Sequence, residues 1–167
     1  MKKIKQTFAA LGLGLLLVFA YTPDTHAQVV EEGDITAGGG LTLTTGAGFS
    51  GEFGISVNGF YSITDEIRAG AEFNLFFGDF APTVFNIDGH YIFKNEDGLV
   101  LYGLAGLGYW SWSWDGPWGS VSASTTGLNL GAGLEYDLGD FLLFAEPKLN
   151  TIGGTPLNVS GGLRMRF

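Results

Sequence analysis

The sequence predicts an all-β fold, an eight-stranded antiparallel up-and-down transmembrane β-barrel, on three observations. From Ile35 onward apolar residues recur at every second position, the period of a strand and not of a helix. Eight such stretches of about ten residues follow one another with turn residues between them. The third observation is compositional. Of 167 residues, 46% are hydrophobic and only 15% are charged, where a soluble domain carries about 25% charge. No run after residue 20 is long and apolar enough for a membrane helix, whereas a tilted strand crosses with about 9–11 residues.

The same composition excludes other classes. A formal net charge of −9, with 8 Lys and Arg in the whole chain, opposes a nucleic-acid binder, which needs a basic face. The chain has no cysteine, so disulfide frameworks, thiolate metal sites and a lipid-acylated cysteine are all ruled out.

The first 27 residues read as a secretory signal. Lys2, Lys3 and Lys5 precede an apolar stretch from Phe8 to Ala20, and Thr25-His26-Ala27 sets small residues at the −3 and −1 positions of a cleavage site. The apolar stretch falls short of the ~20 residues of a membrane anchor. The expected organisation is therefore residues 1–27 for export and residues 28–167 as one barrel domain beginning at Gln28.

Each strand follows from its alternation. The first sets Ile35, Ala37, Gly39, Leu41 and Leu43 against Thr36, Gly38, Gly40, Thr42 and Thr44. The second opposes Phe53, Ile55, Val57 and Tyr61 to Glu52, Gly54, Ser56, Asn58 and Phe60. In the third, Ile67, Ala69, Ala71, Phe73, Leu75 and Phe77 oppose Arg68, Gly70, Glu72, Asn74 and Phe76. The fourth sets Phe85, Ile87, Tyr91 and Phe93 against Asn86, Asp88, His90 and Ile92. The fifth, Leu99 to Trp110, is apolar on both faces, which leaves its register open. Leu128, Leu130, Ala132, Leu134 and Tyr136 form one face of the sixth, and Gly127, Asn129, Gly131, Gly133 and Glu135 the other. The seventh opposes Phe141, Leu143, Ala145, Pro147 and Leu149 to Leu142, Phe144, Glu146, Lys148 and Asn150. The last opposes Leu157, Val159, Leu163, Met165 and Phe167 to Asn158, Ser160, Gly162, Arg164 and Arg166.

The connections alternate in character. Thr64-Asp65-Glu66, Lys94 to Gly98 and Asp137 to Asp140 are tight and charged. The others run through residues 46–51, 78–82, 111–122 and 151–156. With no helix between strands, neighbours pair as antiparallel hairpins. Period two alone does not say which face is inside, but the two faces differ in kind. One carries no charge in any of the eight segments, and lipid is the solvent that suits it. The other is Gly, Ser, Thr and Asn with sparse charges of both signs, which fits the cramped interior of a small barrel better than bulk water.

The chain resembles the small bacterial outer-membrane barrels of the OmpA/OmpX type, including those called porin-family or outer-membrane β-barrel domains. The resemblance runs from about residue 34 to 167, and its sharpest mark is the ending Gly162-Leu163-Arg164-Met165-Arg166-Phe167. Alternating Leu163 and Met165 with a terminal Phe167 look like the signal read by the barrel-assembly machinery. The resemblance implies a bacterial (Gram-negative) outer-membrane location after export, with outer-membrane lipids and lipopolysaccharide as surroundings. Departures are expected too: no downstream peptidoglycan-binding domain as in OmpA, and short outer loops instead of the long protruding strands of OmpX.

The candidate residues fall into two groups. Inside, Arg68, Glu72, Asp88, His90, Glu135, Glu146, Lys148, Arg164 and Arg166 are expected to form a charge network, with Glu52 on the same face. With a periplasmic N-terminus, Glu72, Asp88 and Glu146 lie near mid-height within reach of Lys148 and Arg164. Arg68, Glu135 and Arg166 lie nearer the periplasm. Such a network reads as a plug in a barrel whose interior side chains just fill; a narrow channel or carrier for small solutes is the alternative. A lipid A-modifying enzyme is the third reading. His90 is followed by Tyr91 and Ile92 and lacks the adjacent serine of the deacylases. No catalytic residue, cofactor or metal is therefore expected. Outside, Trp110, Trp112, Trp114 and Trp118 are every tryptophan in the chain. Alternation of three of them points to an interfacial girdle, and the alternative is a loop that binds an extracellular ligand. Pro147 fits its strand badly, since it removes a ladder donor where no edge is free. Either a bulge lies there or the strand ends near Glu146.

Overall fold

The computed structural model describes residues 28–78, 81–116 and 119–167. The export segment and its cleavage site lie outside these residues, as does Trp118. Eight strands follow in order: β1 (Ile35–Gly46), β2 (Phe49–Ser62), β3 (Ile67–Phe76), β4 (Thr83–Glu96), β5 (Leu99–Gly116), β6 (Gly119–Asp137), β7 (Leu142–Asn150) and β8 (Leu157–Arg166). Each pairs antiparallel with its sequence neighbours, and β1 pairs with β8 from Thr36–Arg166 to Thr45–Leu157, which closes the barrel. The all-β up-and-down architecture follows the period-two reading strand by strand.

The two faces are also as the alternation requires. Phe53, Ile55, Val57, Ile87, Tyr91, Leu128, Leu130 and Leu163 stand outward and exposed. Thr42, Ser56, Asn58, Asn74, Asn86, Asn129 and Ser160 are buried within. The fifth strand now has a register: Val100, Tyr102, Leu104 and Trp110 are buried, while Leu107 and Tyr109 are exposed. Space for Tyr102 comes from the strand beside it. Tyr102 pairs with Gly133, and a Cβ on Gly133 would lie 2.3 Å from the Tyr102 ring. A bare backbone there lets the ring lie across it, as aromatics do over sheet glycines.

Three expectations need correction. The outer connections are not uniformly short. The stretch 111–122, read as a loop, continues β5 and β6 as a paired hairpin, with Trp112 opposite Ala123, Ser113 opposite Ser122 and Trp114 opposite Val121. Alternating Trp and Ser satisfy a strand as well as a loop, and the β-hairpin ladder wins. This hairpin outruns its neighbours, because β4 reaches only Ser111 and β7 reaches only Asn129. Second, Trp110 is not part of an outward girdle. It falls on the inward parity of β5 and is fully buried. Third, Pro147 causes neither a bulge nor a strand end. Strand β7 runs through it, and the β6 register is the same before and after, yet the Ala132–Pro147 and Gly133–Glu146 pairs are missing from the ladder.

Each mouth is sealed by an apolar cluster. At the end that holds the termini and the tight turns, Val29 and Val30 pack with Ile92, Val100 and Leu142. Asn95 holds this N-terminal strap in place. Its Oδ1 accepts from both the Val29 and Val30 amides at 2.9 and 3.1 Å, and its Nδ2 donates to the Val30 carbonyl at 2.6 Å. At the other end Trp110 packs with Phe76, Val84 and Ile152.

Candidate functional site

Between the two apolar seals lies a charged layer whose charges come from five strands, β3, β4, β6, β7 and β8. Arg68 on β3 grips Glu135 on β6 through both oxygens, Nη1 to Oε2 at 2.9 Å and Nη2 to Oε1 at 2.7 Å. This planar, two-point match is the geometry that guanidinium offers and ammonium does not. Arg164 on β8 reaches the same Glu135 through Nη1, Glu146 on β7 through Nη2 at 3.1 Å, and Asn58 on β2 through Nε at 2.8 Å. The Tyr102 hydroxyl donates to Glu146 at 2.8 Å and accepts from Arg164 at 3.1 Å.

Nearer mid-height, Lys148 Nζ lies 2.9 Å from Glu72, 2.6 Å from Asp88 and 3.3 Å from Glu146. The three carboxylates have oxygens within 4.8 Å of one another, and the ammonium is their common partner. Asn129 adds a donor to Asp88 at 2.8 Å. All seven charged side chains here, Arg68, Lys148, Arg164, Glu72, Asp88, Glu135 and Glu146, are at most 2% exposed. Charges taken out of water are tolerable only when paired and hydrogen-bonded, and these are.

Aromatic rings fill the gaps between the charges. The Arg164 guanidinium lies 4.0 Å from the Phe144 centroid and 4.7 Å from Phe60, and Arg68 lies 4.7 Å from Tyr102. His90 is sandwiched between Phe60 at 4.3 Å and Tyr102 at 4.5 Å, the latter stacked. Its Nδ1 accepts from Arg68 Nε at 3.1 Å. Asp88, one position away on the same face, turns to Lys148 and Asn129 instead. The two therefore do not form an acid–imidazole pair.

Of the nine interior residues expected from alternation, eight meet in this layer. Arg166 does not. It is exposed at the end of β8 and bonds the Val29 carbonyl through Nη1, so it serves the N-terminal strap. Glu52 also stands apart, capping the Ser50 amide at 3.1 Å. Sequence reasoning missed Tyr102, Asn58, Asn129, Phe60 and Phe144 as partners. Parity places all but Tyr102 on the inward face, and the ambiguous fifth strand hid that one. Trp112 is half-buried against Trp110, with centroids 6.1 Å apart, while the side chains of Trp114 and Trp118 lie outside the described residues. Leu163, Met165 and Phe167 all face outward, and Phe167 exchanges backbone bonds with Ile35.

This architecture has solved counterparts. The N-terminal β-barrel domain of Pseudomonas aeruginosa OprF is similar over 83% of this chain and 100% of its own, with a TM-score of 0.64 at 19% identity. The fold is that of the small outer-membrane β-barrels. Ail, the attachment invasion locus protein of Yersinia pestis, is similar over 81% of this chain and 99% of its own, at 20% identity and TM-score 0.62. Neisserial surface protein A gives 80% and 96%, at 18% identity and TM-score 0.67. No protein-family model and no curated protein sequence matches the chain. Identities of 18–20% show the fold alone, so the charged layer is read from its own residues.

Proposed function

We propose that the chain is an integral outer-membrane β-barrel protein with a structural and surface-interaction role, its interior a closed plug. The barrel is exported, inserts with its N-terminus in the periplasm and is recognised by the assembly machinery through Leu163, Met165 and Phe167. Its outward belt of Leu, Ile, Val and Phe meets outer-membrane lipid and lipopolysaccharide, and the closed ladder leaves hydrocarbon no sheet edge to solvate.

The observation that carries the plug is the cross-barrel bonding of Arg68, Lys148 and Arg164. Each of these cations bonds at least one carboxylate on a strand not adjacent to its own: Arg68 and Arg164 bond Glu135, and Lys148 bonds Glu72 and Asp88. A solute path would have to separate ion pairs that are fully desolvated. The same bonding supports a non-enzymatic reading, since His90 is held by Arg68 and two rings. Planar-bilayer recording of the purified protein tests the plug, and the expected result is no steady conductance. Steady conductance that disappears in Glu72→Gln or Arg164→Gln would establish the narrow channel instead.

The surface role rests on the protruding β5–β6 hairpin, in which Trp112 lies opposite Ala123 and Trp114 opposite Val121. Ail has also been solved in complex with the heparin analogue sucrose octasulfate. Here the eight bases are Lys2, Lys3, Lys5, Arg68, Lys94, Lys148, Arg164 and Arg166, none of them in the outer connections. A polyanion therefore has nothing basic to bind at that end. The partner that fits is uncharged, met by the Trp112 ring and by the exposed Ser and Thr side chains of residues 122–126.

A further inference from the structure

We propose that Glu52, Thr44 and Asn158 form a calcium site at the outer end of the barrel. Its outer placement rests on the orientation proposed above; the ligand set does not. The three residues stand side by side on the inward face of β2, β1 and β8. Thr44 pairs with Glu52 on one side and with Asn158 on the other. Residues directly opposite in such a ladder have Cβ atoms about 4.5–5.5 Å apart. Thr44 is 0% exposed and Asn158 1%, yet the Thr44 hydroxyl and both polar atoms of the Asn158 amide have no protein partner. Glu52 adds a charge. Its Oε1 accepts from the Ser50 amide at 3.1 Å, which fixes the carboxylate at the rim, while Oε2 is buried and unpartnered. Buried polar atoms are rarely left so, and here they gather on three adjacent strands.

Charge points the same way. The interior layer sets three cations, Arg68, Lys148 and Arg164, against four carboxylates, Glu72, Asp88, Glu135 and Glu146. His90 adds nothing, because its Nδ1 accepts from Arg68 and the ring is neutral. One negative charge is in excess, and Glu52 makes two, which a divalent cation cancels. Lys148 lies opposite Asn158 across the β7–β8 ladder but directs its ammonium to Glu72, Asp88 and Glu146. Glu52 is left without a cation among the described residues. The donor chemistry selects the ion. Carboxylate, hydroxyl and amide oxygens, with no nitrogen or sulfur ligand, are hard donors that suit calcium or magnesium. Calcium accepts an irregular set completed by water, whereas magnesium demands a near-ideal octahedron. With neither amide atom engaged, Asn158 can turn its oxygen to the ion. A single carboxylate implies weak binding, with a Kd of about 10⁻⁴–10⁻³ M. The ion would join β8, β1 and β2, and so clamp the seam that closes the barrel.

The test uses the purified mature chain in zwitterionic detergent, where both ends of the barrel meet solvent, with Ca²⁺ itself as the probe. Isothermal titration calorimetry should find one Ca²⁺ bound per chain. Urea unfolding at about ten times the measured Kd should show the folding constant raised about tenfold. Glu52→Gln should abolish both responses, and Thr44→Val, which keeps the shape and removes the hydroxyl, should weaken binding several-fold. Glu96→Gln, at the exposed end of β4, should respond as wild type does. Heat-modifiable gel migration establishes that each variant is folded. No binding at about 10 mM Ca²⁺, well above the expected Kd, would overturn the site. So would an unchanged response in Glu52→Gln or in Thr44→Val, or an equal response to NaCl at matched ionic strength. An equal response to Mg²⁺ would overturn the assignment to calcium. Insertion is scored separately by flotation with vesicles, and binding without flotation would overturn the membrane reading alone.

Discussion

Lys148 is the residue on which the interior turns. Its ammonium is shared by three buried carboxylates from β3, β4 and β7, so removing it strands Glu72 and Asp88 in a place water does not reach. Lys148→Met is therefore expected to cost about 3–5 kcal/mol, the usual penalty for breaking a buried pair from one side. Urea unfolding in lipid vesicles measures it. Lys148→Met combined with Glu72→Gln and Asp88→Asn should recover most of the loss, because neutral partners no longer need the cation. A single variant as stable as wild type would mean that these carboxylates are solvated. The inward parity of β3, β4, β6, β7 and β8 put on one face the charges that meet, Arg166 at the end of β8 excepted. It did not predict that Tyr102 joins them, because the fifth strand is apolar on both faces and its inside is marked only by what packs against it.

Among the elements, the β5–β6 hairpin departs most from its expected form. Residues 111–122 lack the Pro, Asp and Gly punctuation of a loop until Asp115-Gly116-Pro117, and their alternating Trp and Ser continue the strand period. The tertiary ladder decided between two locally acceptable states, which no local pattern could do. The consequence is a specific truncation. Because Ser111 pairs with Ser124, excising residues 112–123 and joining the arms by an Asn-Gly turn preserves the register. The truncated barrel should keep its heat-modifiable gel migration and lose no more than about 1 kcal/mol of stability. Adhesion of cells displaying it should fall well below that of cells displaying the full hairpin. Unchanged adhesion would place the surface role on another connection. Pro147 teaches the complementary lesson at element scale. A proline need not end or bulge a strand when its neighbours hold the register on both sides.

For the molecule as a whole, the wall was legible in the sequence and the seals were not. Strand number, order and facing all follow from period two and turn chemistry, which are local. The N-terminal strap and the Trp110 roof depend on contacts between residues far apart in sequence, such as Val30 with Asn95, and no alternation encodes them. Closure is the one long-range event in the sheet. Seven ladders join strands consecutive in sequence, and only the β1–β8 ladder joins the ends of the barrel. That ladder is lined with glycine: Gly40 faces Gly162, and a Cβ on Gly162 would lie 2.2 Å from the Gly39 carbonyl oxygen. Gly162→Val should therefore slow refolding into vesicles while leaving the hairpins able to form. Unaltered refolding kinetics would show that closure is not limiting. Before the seam zips, the chain is an open sheet with two bare edges, so the protein has no stable smaller version of itself. Seven strands do not make a lesser barrel, and cooperativity is imposed by geometry: the ring is either shut or it is a template for aggregation.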